Sequence, residues 1–516
     1  EERTYAKKAP IKSRKRHIPK VAQYPLMGYT FPMSLTRAIT LNTAIQVFGK
    51  VLSTASGILV ISLMTRQLGA AGFGAYSTAN AFLQVFALAI DLGINVTFPA
   101  LLGEHAHDET YQKRAFSAVF TLRVLMGGIM LGIVAPLVGF FWPFSWEIKL
   151  AIIALALSFL LPSIQQVFIG VQQQQLKTAA SAIAENVNRL VLVAGLLASP
   201  MLGWGLLEQC LLISLASTFS FCINLFATHK LFPLAWNWDP AFWKMLLSRS
   251  WPVGLSIGLN LIYYKSDALI LQYFRPAEEV GIYGAAYRIL EVLISLPFLY
   301  AGILLPVLSR TWAEKRLYDM SRLVSRSLDV MILLILPLIA GMYWFGERTL
   351  VWISGPEFAP AGAIGFILSF GVAAIYLNTI LSHAIVALQA QRRMLPLYGL
   401  VALASIFGYM TFIPRFGAVA AAWVTVASES AILVGSIATT LGFFSFRPHT
   451  RFLVGGSLAM AGMWIVSHFT QQLPLFISIA LSGTAYLACL WMTKTVTPAT
   501  IRELLALKTP TAPSGV

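Results

Sequence analysis

Charge is what this chain has least of. Asp, Glu, Lys and Arg make up 11% of its 516 residues, against about 25% in soluble domains, while 57% are hydrophobic. That excludes an ordinary soluble protein and leaves a polytopic membrane protein. Cysteine is scarce too. Cys210, Cys222 and Cys489 are the three present, all inside apolar segments, so neither a disulfide framework nor cysteine-ligated metal is expected. No Gly-rich P-loop with Lys and Ser or Thr occurs, and no Ser, His and Asp stand at catalytic spacing, so neither ATP hydrolysis nor other enzymatic chemistry is expected of this chain. His105 and His107 in GEHAHDET are a weak metal signal in a short solvated loop, and no cofactor is expected. The first 35 residues carry eight Lys or Arg without the short apolar core and small-residue cleavage site of a signal peptide, and read as a basic cytoplasmic tail against anionic lipid.

What the chain has instead is apolar length. Stretches long enough to cross a bilayer, roughly 17–25 residues each, can be drawn about fourteen times. Six fall within 36–228, six within 250–442 and two within 452–493. The formal net charge of +16 suggests nucleic acid, but the basic residues mark membrane sidedness instead. With the N-terminus inside, 27 of the 37 Lys and Arg lie on the cytoplasmic side and five outside (Arg66, Lys149, Arg275, Arg348, Arg415), the other five being within spans. Both termini are therefore expected in the cytoplasm, the second as a tail over 494–516. No loop is long enough for a soluble domain. The longest, 229–249, holds Trp236, Trp238 and Trp243 beside Lys244 and reads as an interfacial helix along the headgroups.

The linker separates two copies of one pattern. Gly74, Tyr76, Ala79, Pro99 and Leu101 meet Gly281, Tyr283, Ala286, Pro306 and Leu308 at a constant offset of 207. Gln172 and Gln174 meet Gln389 and Gln391 at 217. Both echoes keep the chain direction, so the expected fold is all-α: two parallel, pseudo-twofold six-helix lobes around a central cavity, plus two C-terminal helices. The G-x-Y of each copy reads as the turn of a helical hairpin at its outer end.

Charges inside spans are costly if they face lipid, so they are expected to face that cavity. Asn42, Gln46, Lys50 and Ser53 share one stripe of the first span. Asn80, Gln84, Asp91 and Asn95 do so in the second, Ser256, Asn260, Tyr264 and Asp267 in the seventh, and Tyr287, Arg288, Glu291 and Ser295 in the eighth. Lys50 and Asp91, both near mid-span, are the leading cavity residues. For several others two readings stand. Glu185 with Arg189, and Arg288 with Glu291, either neutralise each other or serve the cavity. Lys265 faces the cavity or snorkels outward, and Arg123 likewise. Glu429 is a coupling-ion carboxylate or a structural anchor.

TRQLGAAGFGAYSTANAF with IDLGINVTFPALLGE, DALILQYFRPAEEVGIYGAAYR, and VQQQQLKTAASAIAENVNRLV resemble polysaccharide-transport proteins, the lipid-linked oligosaccharide flippases of the multidrug, oligosaccharidyl-lipid and polysaccharide exporter superfamily. The likeness spans about 35–444. It departs in the run of Gln where Arg is more usual, and about fourteen spans fit the lipid II flippase branch as well. The resemblance implies two lobes rocking to move a polyprenyl-pyrophosphate-linked glycan across the inner membrane. Asn42, Gln46, Lys50, Asn80, Gln84, Asn260, Lys265 and Arg288 would then bind pyrophosphate and sugar, and spans thirteen and fourteen would offer a groove for the lipid tail. Asp91, Asp267, Glu291 and Glu429 would couple transport to protons, sodium or the membrane potential. A glycan polymerase and other assembly proteins would be partners. A multidrug cation exporter of the same fold is the alternative, and would need a net acidic cavity.

Overall fold

The structure is a computed structural model that describes residues 33–105, 108–175, 179–230 and 232–497, without the side chains of 33–51, 256 and 260–264. The expected site residues Asn42, Gln46, Lys50 and Asn260 therefore lie, by their side chains, outside the described residues, as do His107 and most of both tails.

Among the described residues the chain is almost entirely helical, with short loops and no strand. The helices are α1 (Met33–Asp91), α2 (Ile94–Glu104), α3 (Glu109–Ile129), α4 (Ala135–Phe141), α5 (Trp146–Gln174), α6 (Ala179–Leu202) and α7 (Leu206–His229). Then come α8 (Pro240–Phe274), α9 (Ala277–Ala313), α10 (Leu317–Ser354), α11 (Ala361–Ala387), α12 (Leu395–Leu441), α13 (Thr450–Phe469) and α14 (Leu475–Met492). Among the described residues, eleven stretches are long and apolar enough to cross a membrane. Two of these, Leu52–Glu104 and Gln391–Leu441, run for 53 and 51 residues. At 1.5 Å per residue each is about 80 Å long, more than twice the apolar thickness of a bilayer. Each is broken at a glycine.

Those breaks are built alike. Gly69 in α1 has φ 66° and ψ 179°, and Gly417 in α12 has φ 58° and ψ −139°, conformations that only glycine adopts readily. After each break a new helix begins with amides that lack an intrahelical acceptor. A distant carboxylate supplies one: Ala70 N donates to Glu357 Oε2 at 3.1 Å, and Ala418 N to Glu279 Oε1 at 2.6 Å. An arginine caps a helix end near each break, Arg66 donating to Ile353 O at the end of α10 at 3.0 Å and Arg275 to Ile413 O just before Gly417 at 3.3 Å.

The linker is not the expected interfacial helix. Residues 233–239 have no regular structure, and the helical part, from Pro240, is the start of α8. Pro233 and Pro240 deny the segment two amide donors, and Pro240 sits at the first helical position behind the Asp239 cap, whose side chain accepts from Phe242 N at 3.0 Å. The linker is pinned to α3 by Arg114 Nη2 to Asp239 Oδ2 at 2.6 Å and by Trp243 Nε1 to Ala118 O at 2.8 Å. The Phe242 amide and then the Arg114 guanidinium hold the Asp239 carboxyl below its ordinary range. Trp236 and Trp238 remain exposed.

The repeat is visible as a contact between its two copies. A Cβ on Gly74 would lie 1.7 Å from Ala277 O and 3.0 Å from Gly281 N; one on Gly281 would lie 1.9 Å from Ala70 O and 3.0 Å from Gly74 N. Residues 70 and 74 are 207 positions before 277 and 281, so the contact maps onto itself, as a twofold contact must. The spacing on both helices is the small-x-x-x-small pattern that lets backbones touch inside a membrane. One turn on, Ser77 and Gly284, again 207 apart, sit opposite, a Cβ at Gly284 falling 2.7 Å from Ser77 Oγ. G-x-Y is thus not a turn. Gly74 and Gly281 lie inside helices, at their crossing, and the break is at Gly69.

About 35 Å beyond Gly69 the chain breaks again. Leu92 (φ 41°) and Gly93 (φ 78°) are left-handed, and the loop wraps Gly254 of α8, where a Cβ would be 2.5 Å from Leu92 C. The segment 70–93 therefore touches the second copy at both of its ends. Helices α13 and α14 pack on each other and on α10, tied there by His449 N to Asp329 Oδ1 at 2.8 Å and Tyr486 OH to Leu333 O at 2.7 Å.

Gly74→Ala should lower the thermal unfolding midpoint of the purified protein, since overpacking a tight contact costs about 1–3 kcal/mol or more. Gly128→Ala is the control, because no atom lies within 4 Å of a Cβ there. Equal midpoints for the two variants would remove the crossing from its structural role.

Candidate functional site

Beside the crossing lie two neighbouring cavities. The larger, about 280 Å³, has walls from α1 (Ser53, Gly57), α6 (Glu185, Arg189) and α9 (Arg288, Glu291), with Tyr76 also facing it. The smaller, about 40 Å³, is lined by Asn80, Lys265, Asp267 and Tyr287, and shares Arg288 and Glu291 with the larger. Of the expected site residues with described side chains, Asn80, Lys265, Asp267, Arg288 and Glu291 are thus brought together. Gln84, Asp91 and Glu429 line neither cavity.

Glu291 is the hub. Its Oε1 accepts from Lys265 Nζ at 2.6 Å and its Oε2 from Arg288 Nη1 at 3.1 Å, while Lys265 Nζ also lies 5.0 Å from the centre of the Tyr287 ring. Lys265 therefore points inward, and Arg288 with Glu291 is both an internal pair and part of the wall. One carboxylate holding two cations leaves the cluster with one net positive charge. Asp267 is buried, its Oδ2 accepting from Tyr283 OH at 2.5 Å and its Oδ1 from Ala268 N at 2.7 Å. Tyr283 is the repeat counterpart of Tyr76. Glu291 stands 207 residues after Gln84, so the second copy carries a carboxylate where the first carries an amide, and Tyr287 takes the place of Asn80.

Asp91 departs from the expected placement. It is the last residue of α1, at the Leu92–Gly93 break, and not in the middle of a span. Its Oδ1 takes Arg123 Nη2 at 2.7 Å, and the same nitrogen donates to Asn95 Oδ1 at 2.7 Å. Arg123 is 1% exposed, so it does not snorkel. A buried guanidinium needs an anion, and Asp91 with Asn95 provides the acceptors. The stripe on the second span is thereby divided, Asn80 facing the smaller cavity and Asp91 with Asn95 holding Arg123. Glu185 and Arg189 also differ from the expected direct pair. The Ser53 hydroxyl stands between them, donating to Glu185 Oε1 at 2.7 Å and accepting from Arg189 Nε at 3.4 Å. Glu429 is buried in α12, and among the described residues none donates to its carboxylate. Sequence reasoning passed over Asp329, buried in α10, whose two oxygens bind the backbone and ring of His449. Its signal was an acid 12 residues into an apolar helix. No cluster of metal-ligating residues is found among the described residues.

A family model described as "Polysaccharide biosynthesis protein" matches residues 39–312, just over half of the chain. The Haloferax volcanii protein described as "Probable flippase AglR" is 24% identical over 271 residues, 52% of this chain and 54% of that protein. The chain thus spans about half the length of that curated relative. Among solved structures, the lipid II flippase MurJ in an inward closed conformation matches with a TM-score of 0.69 at 14% identity, over 90% of this chain and 100% of that one. An inward-facing multidrug resistance MATE family transporter of the MOP superfamily matches with 0.64 at 14%, over 78% and 98%. The shared feature is the fold, that of the MOP-superfamily transporters.

The Asp91–Arg123 pair yields a double-mutant test. Arg123→Leu alone should destabilise the protein by about 3–5 kcal/mol, because it strands a partly buried carboxylate. Adding Asp91→Asn should restore part of that loss, read as unfolding midpoints of the four proteins in the cycle. Strictly additive losses would show that the two side chains do not act as a pair.

Proposed function

Because the chain belongs to the polysaccharide biosynthesis protein family, we propose that it is an alternating-access flippase for a polyprenyl-pyrophosphate-linked oligosaccharide, working from the cytoplasmic to the outer face of the inner membrane. The observation that carries this reading is the charged cavity at the crossing of the two copies, inside a bundle whose helices are otherwise apolar. A sugar diphosphate cannot pass through hydrocarbon unaided, since ionised groups there are costly. A polar cavity beside the contact between the two copies offers the headgroup a position along its route. The lobes on this reading are 36–228 and 250–442, joined by the linker 229–249, with 452–493 as an addition and basic cytoplasmic tails over 1–35 and 494–516.

The headgroup would meet Asn80, Lys265 and Arg288, joined from α1 and α8 by Asn42, Gln46, Lys50 and Asn260; Gln84, which lines neither cavity, is left out. The lipid tail would lie in an apolar groove of about 540 Å³ between α10, α11 and α12, to which α13 contributes Leu453. That supports a groove beside the thirteenth span and not between the last two helices. Of the coupling candidates, Asp91 is held by Arg123, Asp267 by Tyr283, and Glu291 by two cations. Glu429 keeps a buried carboxylate without a described donor, which favours it as the proton carrier. A glycan polymerase and other assembly proteins would receive the product.

Two rivals share the fold, a lipid II flippase and a multidrug cation antiporter. The cavity bears on the second. Arg189, Lys265 and Arg288 balance Glu185, Asp267 and Glu291 among its described walls, so these are not net acidic. Proteoliposomes containing the purified protein should move a labelled polyprenyl-pyrophosphate glycan to the opposite leaflet, faster under an imposed proton gradient. Glu429→Gln should abolish that acceleration. Export of a cationic dye without movement of any lipid-linked glycan would overturn the proposal, and movement confined to lipid II would assign the chain to the first rival.

A further inference from the structure

The cationic side chains expected to receive the anion are largely engaged. Lys265 and Arg288 both bind Glu291. Arg189 is different. Its one described bond is the long contact from Nε to Ser53 Oγ at 3.4 Å, and among the described residues none accepts from its two terminal nitrogens. Those nitrogens are not sealed away either, because Arg189 lines the larger cavity and its guanidinium is absent from the buried polar groups that lack a partner. Across from it α1 presents Gly57, where a Cβ would sit 3.9 Å from Arg189 Cζ, so no side chain covers the guanidinium there. The nearest carboxylate, Glu185, already accepts the Ser53 hydroxyl.

We infer that Arg189, on α6, is the specificity-determining contact for the substrate's diphosphate, taking one phosphoryl group on its open guanidinium edge while Arg288 on α9 takes the other. The inference rests on the flippase reading and deepens it. A planar guanidinium with two free parallel donors suits a phosphoryl group in bidentate fashion, which a lysine cannot reproduce. The cavity of about 280 Å³ has room for a diphosphate, with one arginine on a helix of each copy. A monophosphate would leave one arginine without its anion, so the pair selects for diphosphate.

The test uses the full-length protein in nanodiscs of zwitterionic lipid, with farnesyl diphosphate and farnesyl monophosphate as probes and intrinsic tryptophan fluorescence as readout. Arg189→Gln should weaken diphosphate binding roughly tenfold or more, about what one charge-assisted contact supplies, and should narrow the preference over monophosphate. Arg189→Lys, which keeps the charge but not the fork, should fall between the two, with an unfolding midpoint like the wild type. Undiminished diphosphate binding and preference in Arg189→Gln, beside weakened binding in Arg288→Gln, would overturn the role of Arg189 and leave the flippase reading standing. Failure of the wild type to prefer diphosphate would overturn both.

Discussion

Two glycines, Gly74 and Gly281, let two helices touch backbone to backbone, and the rest of the site depends on that approach. Neither position has room for a Cβ. The contact sets how closely the two copies approach, and it borders the space in which Arg288, Glu291 and Lys265 stand. At the other end of the same 70–93 segment, Gly93 and Gly254 repeat the device with a different geometry. Without side chains at these points there is no interdigitated packing to dismantle when the helices part. Close backbone contact without a hydrophobic driving force is how helices associate in a bilayer, and it is a contact that can be remade.

Around that axis the charges are matched with little left over. Arg123 is held by Asp91, Lys265 and Arg288 by Glu291, and Asp267 by Tyr283. The few basic residues expected outside are largely structural. Arg66, Arg275 and Arg348 donate to carbonyls near helix ends, where cations are favoured, and Lys149 lies over the rings of Phe140 and Trp146. On the side expected to be poor in charge these residues serve as helix caps and ring contacts. Against this background an arginine with open donors, Arg189, and an acid without a described donor, Glu429, stand out as groups whose partners arrive from elsewhere.

Much of the architecture was legible because apolar length, repeat identities and charge are one-dimensional properties. The offset of 207 located the very residues that touch. What the stripe on the second span could not reveal was the partner across the fold. Periodicity places Asn80 and Asp91 on one helix face, but only the break at Leu92–Gly93 and the approach of α3 turn Asp91 toward Arg123. G-x-Y looked like a turn because glycine near a hairpin usually marks one, whereas here Gly69 turns and Gly74 packs. An i to i+4 spacing suggested that Glu185 and Arg189 neutralise each other, yet a hydroxyl from α1 came between them. Three aromatic residues suggested an interfacial helix, yet Pro233 and Pro240 go with a stretch, 233–239, that has no regular structure. Each of these departures comes from a tertiary neighbour or a backbone break that no local pattern encodes.

On the flippase reading, the crossing at Gly74 and Gly281 is a contact that opens during transport. Ala71 and Glu278 are exposed residues 207 apart, each one step beyond Ala70 and Ala277. Spin labels on cysteines at these two positions, in protein with Cys210, Cys222 and Cys489 replaced, report the separation of the copies at that end by pulsed dipolar spectroscopy. The account predicts a single short distance in lipid alone and a second, longer population when a polyprenyl-pyrophosphate glycan is added. One unchanged distance in a labelled protein that still transports would contradict it.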